Sequence, residues 1–181
     1  MREGKVILAT QRSYMKKLFY FLSVITASVF LTGCPYETEV PIDKPAIKYP
    51  VALLGKWEPK SSSDDTYTIK EKDDYVIIIT KVKKEAKADD TPDEYEAFIS
   101  EVGGAKFLNL SEKKDGDIGT QKYYLYKVEI SPSGARLTLS PITENIDEKF
   151  QTSAELKTFI QQNMNHSFFY DKEDEVYIKA E

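Results

Sequence analysis

The sequence predicts a mainly β, antiparallel domain with one short helix late in the chain, behind a separate N-terminal leader. Three observations carry that expectation. From Val51 onward, runs of β-branched and aromatic residues alternate with polar turn segments, a composition that favours strands. Gly103-Gly104 lies between two such runs, and paired glycines accept the positive φ of a two-residue hairpin turn. Thr152-Ser153-Ala154-Glu155 has capping-box spacing and precedes Leu156, Phe159, Ile160 and Met164 at helical intervals.

The leader comes first. Met15-Lys16-Lys17 opens an uncharged, mostly apolar run of 14 residues, 18–31. A membrane-spanning helix needs about 20 such residues, so the run and its basic flank fit a secretory signal better than a span. Met1 and Met15 both offer a start. The run ends in Leu31-Thr32-Gly33-Cys34, which resembles the lipobox of bacterial lipoproteins, with a branched residue at −3 and small residues before the cysteine. That resemblance implies a signal peptide over 1–33, cleavage before Cys34 and a membrane anchor of lipid (palmitate among its acyl chains) on the Cys34 thiol. Pro35 follows where an aspartate would retain many such proteins at the inner membrane, so the implied location is the cell envelope, at the outer membrane. Cys34 is the sole cysteine, which excludes an intrachain disulfide or a four-thiolate zinc site.

Residues 1–33 carry a balance of +4, and taking that from the overall −5 leaves −9 for residues 34–181. Such a surface repels nucleic acid and anionic lipid, so no nucleic-acid partner is expected. Residues 34–50 read as a lipidated, proline-rich tether. Pro35, Pro41, Pro45 and Pro50 are four of the eight prolines, and proline fixes φ without donating a hydrogen bond, which favours an extended polyproline II path. An ordered arm lying on the domain is the alternative. The domain proper is expected over 51–181, long enough for one real core.

Within it, strands are expected at 67–70, 75–82, 95–102, 105–110, 122–130 and 135–139. Residues 83–93 read as a solvated loop, and Ser131-Pro132-Ser133-Gly134 as a turn. After the helix, whose apolar stripe is expected to pack on the sheet, 168–170 and 176–178 offer one or two further strands. Seven to nine antiparallel strands permit a closed barrel or a sandwich.

Leu53-Leu54-Gly55-Lys56-Trp57 tips that choice. It resembles the Gly-x-Trp signature of lipocalins and related calycin barrels. The resemblance implies a lipocalin-like up-and-down β-barrel, with Gly55 letting the entering chain pass close and Trp57 plugging the closed end. It also suggests Arg136 as the late cation covering the tryptophan. The family's Thr-Asp-Tyr motif is absent.

Residues able to do chemistry are few. His166 is the only histidine and follows the helix, where a cation is favoured by the helix dipole; capping is its ordinary use. One histidine and a lipidated cysteine leave little for Ser-His-Asp or Cys-His catalysis. No phosphate loop or zinc spacing is present, so no catalytic residue, metal or cofactor is assigned. Acidic pairs at Asp64-Asp65, Asp73-Asp74 and Asp89-Asp90, and Asp115-Gly116-Asp117, read as solvated turns, since the calcium-loop pattern is incomplete.

Aromatic residues are the stronger lead. Tyr67, Tyr75, Tyr95, Phe98, Phe107, Tyr124 and Tyr126 fall on successive expected strands and, converging inside an eight-strand barrel, would line a pocket for one small apolar ligand. A barrel filled by its own side chains is the competing outcome. Two noncatalytic functions follow: binding or carrying a small hydrophobic molecule, or contacting another envelope protein through the barrel's loops.

Overall fold

The computed structural model describes residues 36–61, 65–83, 91–112 and 121–180. The chain divides into two units, 1–33 and 34–181, and all described residues belong to the second. The leader, the Leu31–Cys34 motif, the acidic residues Asp64, Asp89 and Asp90, and the Asp115–Asp117 stretch lie outside the described residues.

Among the described residues, nine strands and one α-helix follow in order: β1 (Glu37–Thr38), β2 (Gly55–Pro59), β3 (Asp65–Glu71), β4 (Val76–Lys83), β5 (Asp93–Val102), β6 (Ala105–Glu112), β7 (Tyr123–Ile130), β8 (Arg136–Pro141), α1 (Ser153–Asn163) and β9 (Glu175–Lys179). Each of β2 to β8 pairs antiparallel with the next. β9 pairs with both β8 and β2, which closes an eight-strand up-and-down barrel. Closure satisfies both edges of the sheet, removing the unpaired rows that make open sheets sticky.

Local chemistry sets the turns. Val102 pairs with Ala105 across Gly103 and Gly104, both at positive φ (58° and 84°), as the type I′ geometry requires. Between β3 and β4 the Asp73 carboxylate accepts from the Tyr75 and Val76 amides at 2.8 and 2.9 Å, an Asx turn. Thr152 caps α1 as expected. Its Oγ1 accepts from the Glu155 amide at 3.3 Å, and the Glu155 carboxylate accepts from the Thr152 amide at 3.1 Å.

Two apolar cores result. One fills the lower barrel around Trp57, Ile77, Ile99 and Leu137. The other lies outside it, where Leu156 and Ile160 of α1, with Phe159 and Met164 beside them, cover Val102, Phe107 and Leu125. The helical stripe therefore packs on the sheet.

Residues 36–50 depart from the expected tether. β1 pairs with Tyr123 and Tyr124 of β7, the Ile42 amide donates to Asn109 Oδ1 at 2.8 Å, and Ile47 bridges to Ile99. Tyr36, Ile42 and Tyr49 are buried. The segment is an arm running down the outer wall from one end of the barrel to the other. Proline's fixed φ suits an extended arm as well as a free spacer, and three apolar side chains among the charges supply the adhesion. Of the one or two strands expected after the helix, 176–178 lies in β9, while Ser167–Phe169 forms a 3-10 turn and Tyr170 makes only an isolated bridge to Ile142.

Candidate functional site: the barrel cavity

The closed end is built around Trp57. Val51–Leu53 forms a 3-10 turn that places the Leu53 carbonyl to accept from Trp57 Nε1 at 2.8 Å, and the indole is completely buried. The cation over the indole is Lys179, not Arg136. Its ammonium lies 5.3 Å from the ring centroid and donates to the Ala52 carbonyl at 3.0 Å, whereas Arg136 is exposed at the start of β8. Gly55 has φ +125°, and a Cβ there would come within 3.0 Å of Lys179 Cε. Glycine thus serves both the backbone conformation and the passage of the lysine stem, the close approach the motif implied.

Above this plug the barrel opens into a cavity of about 660 Å³, within the usual range for small-molecule sites. Side chains alternate across a strand, so every second residue faces in. These inward residues follow a gradient. On β4 they run Ile77, Ile79, Lys81, and on β6 Leu108, Leu110, Glu112, apolar near the plug and charged at the mouth. On β9, Tyr177 lies nearer the plug and Glu175 nearer the mouth. Tyr36 and Glu37 of the arm, with Glu144, Ile146 and Lys149, complete the rim.

Tyr67, Tyr95, Tyr124 and Tyr126 line the cavity, and the structure brings these four together. It does not bring the other three. Tyr75 sits in the β3–β4 turn and is 37% exposed. Phe98 points out of the barrel, edge-to-face on Tyr123 at 6.3 Å, and Phe107 is buried in the outer core under α1. Sequence reasoning missed Tyr177, Glu175 and Lys81. Parity places them: Lys81 is two positions beyond Ile79 on β4, and Glu175 and Tyr177 share one face of β9.

Several polar groups of the interior are paired within the protein. The Tyr177 hydroxyl donates to Glu175 Oε2 at 2.7 Å, and its ring meets Tyr67 edge-on at 5.2 Å. Burial raises the Glu175 pKa above the usual carboxylate range, partly opposed by the Tyr177 hydrogen bond. Burial, reinforced by the Glu175 charge, also holds the Tyr177 and Tyr126 hydroxyls protonated. At the mouth Lys81 is paired with Asp65 at 3.1 Å and Glu37 with Lys122 at 2.5 Å.

His166 is exposed and stacks on Phe168, with ring centroids 5.0 Å apart. Among the described residues no group of three or more His, Cys, Asp or Glu side chains could hold a metal. The arrangement offers shape, apolar surface and hydrogen-bonding groups to a guest molecule. No known family model, no curated protein and no solved structure matches this chain.

Proposed function

We propose that the chain is a noncatalytic envelope lipoprotein, anchored through lipid on Cys34 at the outer membrane, whose barrel binds or carries a small hydrophobic molecule. The cavity is the observation that carries this reading. A filled barrel would leave no space, whereas about 660 Å³ stays open between the Trp57 plug and the rim. The apolar lower wall rewards burial of a guest by about 25 cal/mol per Å² of apolar surface, and the tyrosines supply rigid contact area. That open interior favours ligand binding over the reading of the barrel as a scaffold for loop contacts alone.

The arm adds an orientation. Tyr36 is held at the rim, where its amide donates to the Ile142 carbonyl at 2.9 Å and its hydroxyl to the Glu148 carbonyl at 2.8 Å. Cys34 precedes it by two residues, at most about 7 Å of extended chain. Lipid on Cys34 would then bring the mouth, and not the plugged end, to the membrane surface, so that a lipophilic guest could pass between bilayer and cavity.

Two measurements test the proposal. Metabolic labelling with a fatty-acid analogue should mark the wild-type protein and not Cys34→Ala; equal labelling would sink the anchor. Native mass spectrometry of the protein purified from its own host should find a small molecule bound in a one-to-one complex. A ligand-free spectrum, together with no binding of an apolar fluorescent probe, would sink the binding function.

A further inference from the structure

The cavity's polar atoms restrict what can fill it. Glu175 is the one carboxylate of β9, and on β8 it faces Leu139, whose neighbour on β7 is Val128. One of its oxygens accepts the Tyr177 hydroxyl's hydrogen bond; the other has no protein hydrogen-bond partner among the described residues. Tyr95 and Tyr126 line the same space, and their hydroxyls likewise have no protein hydrogen-bond partner among the described residues. Tyr126 is only 8% exposed, yet among the described residues no buried side-chain oxygen is left sealed without a partner. Its hydroxyl therefore opens onto the cavity. A buried polar atom that a guest leaves unsatisfied loses its water without gaining a partner, so a purely apolar guest would fill this barrel poorly.

Charge sharpens the restriction. The lining holds four glutamates (Glu37, Glu112, Glu144 and Glu175) and two lysines. Lys81 on the barrel wall is matched by Asp65, and Glu37 at the rim by Lys122; Glu112 and Glu175 are the carboxylates carried by the wall strands themselves. Like charges brought together where water is scarce are strongly unfavourable.

We infer that the cavity selects an amphipathic molecule whose polar end is a hydrogen-bond donor, a hydroxyl or an ammonium group, received by Glu175 with Tyr95 and Tyr126, and that it discriminates against carboxylate-ended chains. The apolar tail lies toward Trp57 and the donor end meets the carboxylate. This rests on the ligand-binding reading above and names the class of its ligand.

The test compares three molecules with the same tail. Residues 34–181 with Cys34→Ala contain both apolar cores entire and carry no lipid. Dodecanol, dodecylamine and laurate are titrated against this protein loaded with the neutral fluorophore N-phenylnaphthylamine. Dodecanol and dodecylamine should displace the fluorophore at concentrations at least about tenfold below laurate. Glu175→Gln keeps an acceptor for Tyr177 and should shrink that gap to within about threefold, mainly by improving laurate. Laurate competing as well as dodecylamine in the wild type overturns the specificity, whatever the variant does; so does a gap that Glu175→Gln leaves unchanged. Failure of the fluorophore and of all three chains to bind overturns the ligand-binding reading itself.

Discussion

Replacing Trp57 with alanine tests the plug most severely. The indole is fully buried, and truncating a buried aromatic to alanine typically costs about 3–5 kcal/mol. Two further losses are specific to this site. The Leu53 carbonyl loses its 2.8 Å donor, and Lys179 loses the ring beneath its ammonium. The first is worth about 1 kcal/mol net and the second about 0.5–2. The terms overlap, so the expected total is about 5 kcal/mol. Against a usual domain stability of about 5–15 kcal/mol that is close to unfolding. At roughly 2–4 °C per kcal/mol for a chain of this size, the melting temperature should fall by about 10–20 °C. Trp57→Phe retains most of the volume and loses the N–H, so it should lie between wild type and Trp57→Ala.

The assay is thermal unfolding followed by circular dichroism, with fluorescence as the control. Residue 57 is the only tryptophan, so the folded protein's emission reports this position alone; it should be blue-shifted and resist acrylamide. A loss below about 0.5 kcal/mol, the usual range for surface changes, or solvent-like emission from the folded protein, would refute the plug.

Two other outcomes follow from local chemistry. Thr152→Ala should cost about 1 kcal/mol by removing the α1 cap, read as a shift in denaturation midpoint; an unchanged midpoint would mean α1 draws nothing from its capping box. Glu175→Gln should raise the melting temperature at neutral pH. Burial raises the Glu175 pKa above its unfolded value of about 4.5, so as pH climbs the unfolded chain releases that proton first. Stability therefore falls from about pH 4.5 upward through the raised pKa, and the group contributes no such loss below it. The gain from Glu175→Gln should thus fade as pH drops below about 4.5. An equal gain at every pH would show that the carboxylate's charge is not its cause.

Much of the fold was legible because each turn carried its own chemistry. Gly103-Gly104 could only be a tight hairpin, Thr152 and Glu155 could cap a helix, and Gly55 before Trp57 marked the closed end. The arm was not legible in the same way. Prolines and charges describe a free spacer and a surface-bound strand equally well, and the difference lies in distant partners: Asn109 for Ile42, and Tyr123 and Tyr124 for β1.

The cavity residues fail on a different point, which parity exposes. Tyr95 and Phe98 are three positions apart on one strand, so they must face opposite sides; only one of them can line a barrel. Tyr124 and Tyr126 share a face, and both line the cavity. Hydrophobicity cannot choose between faces here because both are buried on β5 and β6, the inner one by the barrel and the outer one by α1 and the arm. Polarity can. An outer face covered by a helix stays apolar along its covered length, while an inner face that opens to a mouth grows polar toward it, as Leu108, Leu110 and Glu112 do on β6. On β9 the same rule picks out Glu175 above Tyr177, the pair on which the ligand's polar end is argued to rest. The most informative residues of this interior are therefore its few charges, because a carboxylate held inside a barrel is costly and has to be matched by whatever binds there.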